Sequence, residues 1–190
     1  MKIAVEGADR RPFKQLSYMV YEIGLMINRR WWHIFTIWFT SSPWIIVSYR
    51  IERFLYLLFG RPYGLLRIFF LPLLFITQPW RGNCEIHYRA DIGKGLKVLH
   101  SSLGIVVSGH STIGENLVLT GGNCIGGRES LKQGDVRLGN NISIGANAVV
   151  LGPVNIGSNV IIGAGAVVIR DAPDNVTLVG IPAKEVIARP

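Results

Sequence analysis

Aliphatic residues return at every sixth position between residues 136 and 173. Two series, offset by two residues, keep this period without a slip, and small or turn-prone residues stand between them. A period of six matches neither the 3.6-residue turn of a helix nor the two-residue alternation of a half-buried strand. The two series are Leu138, Ile144, Val150, Ile156, Ile162 and Val168, and Val136, Ile142, Ala148, Val154, Val160 and Ala166.

This period predicts a mainly β fold, the parallel β-helix. In such a solenoid each six-residue unit forms a short strand and a turn, and three units close one triangular coil. The aliphatic side chain points inward and packs only against the coils above and below, and the glycine after it turns the chain where a Cβ would clash. A β-sandwich of short strands would need turn signals every eight to twelve residues instead.

The repeat extends upstream of residue 136 with two interruptions. The first spans residues 99–112 and contains His100 and His110, and the second spans residues 126–137. Solenoids place insertions in loops on one face, which is often the binding face. We therefore expect the chemistry of the protein in these two segments. The upstream positions that keep the period are Ile86, Ile92, Val98, Ile113, Leu119 and Ile125.

Composition divides the chain near Asn83. All five tryptophans precede this residue, whereas 17 of the 22 glycines follow it. Residues 1–83 carry a net charge of +7 and residues 84–190 a net charge of +1. We predict an apolar, basic α-helical region (1–83) and a β-helix domain with a C-terminal tail (84–190). Because the basic residues lie among tryptophans and apolar runs, the pattern does not indicate a nucleic-acid partner.

The two cysteines, Cys84 and Cys124, lie forty residues apart and form no CxxC motif. This spacing indicates neither a disulfide framework nor a zinc knuckle. Both side chains are expected to pack as small apolar groups in a reducing compartment. Residues 1–16 contain charges and Pro12 but lack the apolar core of a cleavable signal peptide.

The helical region contains one amphipathic segment, residues 13–28, and two interrupted apolar runs, residues 31–47 and 62–80. A spanning helix needs about twenty predominantly apolar residues, and neither run supplies them cleanly. Arginines alternate with Trp, Phe and Leu, which is typical of helices that lie in the membrane interface with cations on anionic lipid. These arginines are Arg29, Arg30, Arg50, Arg53, Arg61, Arg67 and Arg81.

We therefore expect a peripheral or re-entrant association of residues 1–83 with the cytoplasmic leaflet of a membrane. Two alternatives stay open. One is a soluble helical bundle that buries these residues against itself or against a neighbouring subunit. The other is a two-helix hairpin that crosses the bilayer.

Segments of the second part carry a family resemblance. They are EIHYRADIGKGLKVLHS at residues 85–101, followed by GIVVSG, TIGENLVLTGGNCIGG, IGANAVVLG, VNIGSNVIIGAGAVV and GIPAK. Together they resemble the serine acetyltransferase branch of the hexapeptide-repeat acyltransferases. They are most similar to members that O-acetylate sugars of bacterial capsules, exopolysaccharides or colanic acid. The resemblance covers residues 84–187.

The resemblance implies a left-handed coil, a homotrimer, and acetyl-CoA as donor in the groove between two subunits. The implied acceptor is a sugar hydroxyl of a bacterial surface polysaccharide or of its lipid-linked precursor, at the cytoplasmic side of the inner membrane. Rival hypotheses are a serine O-acetyltransferase or an amino-sugar N-acetyltransferase of the same fold, and a non-catalytic trimeric scaffold.

Roles for individual residues also follow from the resemblance. His100 matches the general base that takes the proton of the acceptor hydroxyl, a task that suits a neutral imidazole near pH 7. Glu85, fifteen residues earlier, replaces the family's aspartate that orients the histidine. His110 shares the irregular segment with His100 and is a candidate substrate contact. His87 is expected to be structural, because the turn position after an inward residue commonly faces solvent.

Five further residues match the family's donor site. Gly126 and Gly127 correspond to paired glycines near the thioester, where the lack of a side chain lets the pantetheine approach backbone amides. Ala146 and Ala164 correspond to small residues whose main chain bonds the pantetheine arm. Lys184, in the closing GIPAK motif, is expected to meet the nucleotide phosphates.

One departure from the family concerns the acceptor. Serine acetyltransferases carry an Arg-His-Pro triplet before the regular repeat, where this chain has Gly134-Asp135-Val136. Serine is therefore not the expected acceptor, and Arg128 and Asp135 are expected to line a polar sugar pocket. The histidines lack the close spacing of the γ-class carbonic anhydrase zinc site, so no metal is expected.

Overall fold

A computed structural model describes residues 11–27, 32–76, 82–127 and 131–186 of the chain. In these residues the helices come first and the strands follow. The third helix, α3 (Ser41–Phe59), is followed by the C-cap residue Gly60, whose φ of +66° is easily reached only without a Cβ. The helices are α1 (Pro12–Ile27), α2 (His33–Thr36), α3 (Ser41–Phe59) and α4 (Tyr63–Ile76), with 3₁₀ turns at Ile37–Phe39 and Ser101–Leu103.

The strands are two to five residues long, as the six-residue repeat predicts. They are β1 (Cys84–Ile86), β2 (Asp91–Ile92), β3 (Lys97–Val98), β4 (Ile105–Val107), β5 (Ser111–Ile113), β6 (Val118–Leu119), β7 (Asn123–Gly127), β8 (Val136–Leu138), β9 (Ser143–Ile144), β10 (Val149–Gly152), β11 (Val154–Ile156), β12 (Ile161–Ile162), β13 (Val167–Val168), β14 (Thr177–Val179) and β15 (Lys184–Val186).

Consecutive strands lie on three different sheets. Each strand from β1 to β10 pairs in parallel with the strand three positions later, and β12 pairs in parallel with β14. Sheet 1 contains β1, β4, β7, β10 and β13, sheet 2 contains β2, β5, β8 and β11, and sheet 3 contains β3, β6, β9, β12, β14 and β15. The chain therefore climbs through about four coils, which confirms the predicted β-helix. Only the last described strand, β15, runs antiparallel to its neighbour β14.

The core of the solenoid consists of the two aliphatic series that set the period. Every member of both series is at most 3% exposed. In register, Ile125, Val150 and Val168 stack on sheet 1, and the equivalent positions of sheets 2 and 3 stack likewise. This stacking confirms that the sixth-position side chains point inward and pack between coils.

Three corners separate the sheets, and each corner repeats from coil to coil. Corner 1 joins sheet 1 to sheet 2, corner 2 joins sheet 2 to sheet 3, and corner 3 joins sheet 3 to the next strand of sheet 1. At corner 2 a Cβ on Gly139 would lie 2.7 Å from the carbonyl carbon of Gly157, so stacking of the coils leaves no room for a side chain. The glycines after the inward residues thus serve as predicted.

Asparagines supply the left-handed backbone at corner 2. The four residues have φ values between +56° and +62°. Their side chains form a ladder along the corner, in which each amide nitrogen donates to the amide oxygen of the next asparagine at 2.8–3.0 Å. The ladder contains Asn116, Asn141, Asn159 and Asn175.

The helical region shares one hydrophobic core with the first coil. Ile45, Ile46 and Tyr49 of α3 belong to the same cluster of buried residues as the aliphatic side chains of the solenoid. Helix α1 packs on α3, and α4 also contacts α3. Helix α3 therefore contributes buried apolar side chains to the core of the solenoid.

A buried ion pair joins α1 and α3 to the first coil. The Arg50 guanidinium donates to both carboxylate oxygens of Glu22, at 3.0 and 2.6 Å, and neither side chain is exposed. It also donates to the carbonyl oxygens of Ile92 and Gly93 at 2.9 and 2.6 Å. In the same coil the backbone N–H of Leu96 donates to Glu22 at 2.9 Å.

The prediction that the arginines face lipid is wrong for Arg50 and Arg53. Both side chains instead bind polar groups of the first coil. Arg53 is 4% exposed and donates to the carboxylate of Asp91 at 2.9 Å. Arg67 is partly exposed and pairs with Glu52 at 3.0 Å. The remaining arginines of the pattern are Arg61, which is exposed, and Arg29, Arg30 and Arg81, which lie outside the described residues.

Within the described residues, no helix combines the length and the apolar character that a bilayer crossing requires.

Candidate functional site

His100 lies at corner 3 of the first coil, two residues after the end of β3. Its backbone N–H donates to the carbonyl of Thr120 at 2.8 Å, which fixes the main chain while the side chain is exposed. A Cβ on Gly121 would lie 2.3 Å from the His100 carbonyl oxygen, so a glycine is required below the histidine. Among the described residues, none forms a hydrogen bond with the His100 ring. The ring is therefore accessible to a ligand.

Corner 3 also carries two of the predicted donor-site residues. The backbone N–H of Gly165 donates to the carbonyl of Ala146 at 2.8 Å, so the turns that contain Ala146 and Ala164 stack. The corner 3 turn of the preceding coil, which contains Gly121, stacks in the same way. Its Gly121 carbonyl accepts a hydrogen bond of 2.9 Å from the backbone N–H of Asn147. His100, Ala146 and Ala164 thus lie along one edge of the solenoid.

Glu85 lies on β1, and its side chain is exposed on the outer face of sheet 1. Its neighbour in register is Val106 of β4. Within the part of the chain that is described, no hydrogen bond joins the Glu85 carboxylate to the His100 ring. The predicted orienting role of Glu85 therefore stays a prediction.

Glu85 instead lies in a cleft at corner 1, between the first and second coils. The cleft has a volume of about 210 Å³. Strands β1 and β4 pair in register, which brings the turn after Ile86 beside the turn after Val107. The polar side chains that line the cleft are Glu85, His87, Arg89, Ser108 and His110.

His87 is half-buried in this cleft and does not simply face solvent. Its Nδ1 accepts a hydrogen bond of 3.1 Å from the backbone N–H of Arg89, and its ring stacks on Tyr88 with centroids 4.4 Å apart. Burial, followed by the positive charges of Arg67 and Arg89, lowers the pKa of His87 below its ordinary value. The ring is consequently neutral near pH 7.

The predicted substrate contact His110 lines the same cleft. Its Nδ1 lies 3.3 Å from the hydroxyl oxygen of Ser108. Its carbonyl accepts a hydrogen bond of 2.9 Å from the N–H of Gly134, which ties the corner to the loop before β8. His110 and Glu85 are therefore brought together, whereas His100 lies at another corner.

Asp135 belongs to a second cleft, on sheet 2, with a volume of about 460 Å³. Its carboxylate accepts a hydrogen bond of 2.7 Å from the N–H of Lys132, and Arg137, Asn155 and Asp171 line the same cleft. Arg128, the other predicted sugar contact of this loop, lies outside the described residues.

The remaining predicted donor-site residues lie apart from corner 3. Gly126 and Gly127 end β7 at the corner 1 edge of sheet 1. A Cβ on Gly126 would meet open space, whereas one on Gly127 would overlap the side chain of Leu131. Lys184 is exposed on β15 and lines a cleft of about 240 Å³ near the end of the solenoid.

Three members of the corner 1 cleft were not assigned a ligand role from the sequence: His87, Arg89 and Ser108. The signal that could have found them is the register of the coils. Ile86 pairs with Val107, so the residues that follow each of them must lie side by side. The described residues contain no group of three or more His, Cys, Asp or Glu side chains placed to hold a metal ion.

The regular part of the repeat matches a known family model. Residues 135–170 match the bacterial transferase hexapeptide family, described as six repeats. No curated protein sequence matches the chain.

Solved structures of serine acetyltransferases share the fold. The Neisseria gonorrhoeae enzyme is 29% identical, with a TM-score of 0.72 over 92% of this chain and 66% of its own. The soybean enzyme complexed with serine is 30% identical, with a TM-score of 0.57 over 74% and 56%. A serine acetyltransferase complexed with CoA is 28% identical, with a TM-score of 0.60 over 75% and 55%. The chain therefore spans less than two thirds of the length of each of these enzymes.

Proposed function

We propose that the protein is an acetyl-CoA-dependent O-acetyltransferase with His100 as its general base. The observation that carries this proposal is the edge at corner 3, where an accessible imidazole lies in line with the backbone turns of Ala146 and Ala164. The similarity to a serine acetyltransferase complexed with CoA supports acetyl-CoA as the donor. The family resemblance supports a homotrimer, whose groove between subunits would hold that donor.

In the proposed reaction the acceptor hydroxyl gives its proton to a nitrogen of the His100 ring as its oxygen attacks the thioester carbonyl. The tetrahedral intermediate then collapses, the carbon–sulfur bond breaks, and the imidazolium returns the proton to the departing CoA sulfur. The products are an acetyl ester and CoA, and the base is regenerated. General-base assistance of this kind contributes about 10²–10⁴ in rate.

We propose a sugar hydroxyl as the acceptor, in a bacterial surface polysaccharide or its lipid-linked precursor. Asp135 stands where the serine acetyltransferases have a histidine, and the clefts at corner 1 and on sheet 2 are lined by polar side chains that suit hydroxyl groups. Serine remains the second candidate acceptor, because the similar solved structures are serine acetyltransferases.

We further propose that the helical region holds the enzyme at the cytoplasmic side of the inner membrane. Leu65, Ile68 and Phe69 are 72%, 58% and 80% exposed, and their spacing places them on one face of α4. Exposed Arg61 precedes this helix and would meet anionic headgroups. Anchoring of this kind would raise the effective concentration of enzyme near a lipid-linked acceptor.

The test is acetyl transfer by the full-length protein, measured as release of CoA thiol with polysaccharide repeat units, serine and glucosamine as acceptors. His100→Ala is expected to lower kcat at least about a hundredfold without altering the melting temperature. Glu115→Gln, an exposed carboxylate at corner 2, is the matched control for Glu85→Gln. A lower kcat in Glu85→Gln supports the orienting role, whereas a raised acceptor KM alone contradicts it.

Full activity in a folded His100→Ala protein would remove His100 as the base. Acetylation of serine alone would replace the sugar by the second candidate acceptor. Absence of acetyl-CoA binding would leave only the scaffold hypothesis.

A further inference from the structure

The corner 1 cleft contains polar groups that the general base at corner 3 does not use. A Cβ on Gly109 would lie 2.5 Å from Nδ1 of His87 and 3.1 Å from Cβ of Arg89. The φ angle of Gly109 is not in the left-handed region, so close approach to this imidazole is what requires the glycine. The second coil is thus built to lie directly against the His87 ring.

The hydrogen bond from Arg89 determines which nitrogen of His87 carries the proton. Because Nδ1 accepts from a backbone N–H, the neutral ring must carry its proton on Nε2. The lowered pKa keeps the ring in this neutral form near pH 7. His87 therefore presents a hydrogen-bond donor and has no free lone pair with which to act as a base.

The other groups of the cleft complement this donor. The Glu85 carboxylate only accepts hydrogen bonds, the Arg89 guanidinium only donates them, and the Ser108 hydroxyl does both. Within the described ranges, neither Glu85 nor Arg89 uses its side-chain charge in a hydrogen bond or a salt bridge. One negative and one positive charge balance, so the cleft favours a neutral ligand with several hydroxyls over a phosphate.

We propose that the cleft formed by Glu85, His87, Arg89, Ser108 and His110 is a binding subsite for a neutral sugar ring, and that the Nε2–H of His87 donates to a ligand oxygen. This inference rests on the proposed function only in identifying the bound ring with the acetyl acceptor. Sugar binding itself is independent of that step. It also gives a ligand-binding role to a histidine that was expected to be structural.

The first test is binding without chemistry. Saturation-transfer NMR on the full-length protein uses the methyl glycosides of glucose, galactose, mannose and fucose as probes. At least one glycoside is expected to bind, with affinity reduced about tenfold or more by His87→Ala and about threefold or less by His87→Gln, whose side-chain N–H replaces the donor. Glu115→Gln should leave binding unchanged, and melting curves confirm that each variant is folded.

Gly109→Ala provides a second route to the same result. Its added methyl would displace the His87 ring while the imidazole remains in the chain, so it should weaken glycoside binding as His87→Ala does. No binding of any of the four glycosides at about 10 mM, a concentration well above a Kd of about 1 mM, would overturn the proposal. Equal binding by His87→Ala and the unaltered protein would overturn it as well.

The second test separates binding from turnover, with the bound glycoside as acceptor. His87→Ala is expected to raise the acceptor KM about tenfold while kcat and the acetyl-CoA KM stay within about threefold. An equal loss of kcat in His87→Ala and His87→Gln would place His87 in the chemical step and contradict the donor role. Binding that depends on His87 without any acetyl transfer would refute the proposed function and leave the sugar subsite.

Discussion

At the scale of single residues, four asparagines provide the left-handed backbone at corner 2 of the solenoid. A residue with a Cβ pays about 1–2 kcal/mol in the left-handed region, and asparagine tolerates that region better than most. Each ladder side chain also hydrogen-bonds to its neighbours one coil away, so the polar group that permits the turn also connects adjacent coils. Local conformation and stacking thus depend on the same atoms.

Asn141 offers a test, since it both donates and accepts within the ladder. Asn141→Ala should lower the free energy of unfolding by about 2–3 kcal/mol, from the left-handed backbone and two lost hydrogen bonds. Asn141→Gly loses the hydrogen bonds but relieves the backbone, so it should cost about 1 kcal/mol less than alanine. Urea unfolding of the full chain measures both, and equal losses would show that backbone conformation is irrelevant here.

At the scale of elements, α1 and α3 supply the hydrogen-bond partners that an additional coil would give to the first one. The Tyr49 hydroxyl donates to the carbonyl of Ala90 at 2.9 Å and accepts from the N–H of Ile92 at 3.2 Å. Farther along the same coil, Arg50 donates to the carbonyl of Ile92 and Glu22 accepts from the N–H of Leu96. These buried polar side chains therefore satisfy backbone groups of the first coil that would otherwise need a neighbouring strand.

Removing one member of the buried pair should be costly, because the other charge stays buried. Arg50→Ala is expected to lower the free energy of unfolding by about 3–5 kcal/mol. The matched control is Arg67→Ala, which breaks the more exposed pair with Glu52 and should cost at most about 1 kcal/mol. Urea unfolding midpoints compare the two variants, and similar losses would contradict a special role for the buried pair.

At the scale of the whole molecule, the sequence predicts best where a pattern repeats. The period of six identified the inward side chains of the solenoid because each coil meets the same environment as the next. The roles of Arg50 and Arg53 could not be predicted in this way, since alternating cations and aromatics are equally compatible with lipid and with a buried interface. The partial burial of His87 could not be predicted for a related reason, because its environment is set by a turn 21 residues later in register.

The apolar face of α4 gives a prediction at this scale. Leu65→Glu combined with Phe69→Glu should reduce co-sedimentation with phosphatidylglycerol vesicles about tenfold or more, because two charges replace apolar contact area. Ile161→Glu, at a 54% exposed position on the solenoid, is the control and should bind vesicles unchanged. Unchanged vesicle binding by the double variant, with a smaller assembly in gel filtration, would instead assign this face to contact between copies.

The antiparallel pairing of β14 with β15 affects whether copies of the protein can associate end to end. A solenoid with two open ends invites copies to add lengthwise, as exposed strand edges do in fibres. Here the N-terminal helices occupy one end, and the reversed strand covers part of the last coil at the other. End-to-end polymerisation is thus opposed at both ends of the solenoid. Association between copies is directed instead to the three sheets and the corners between them.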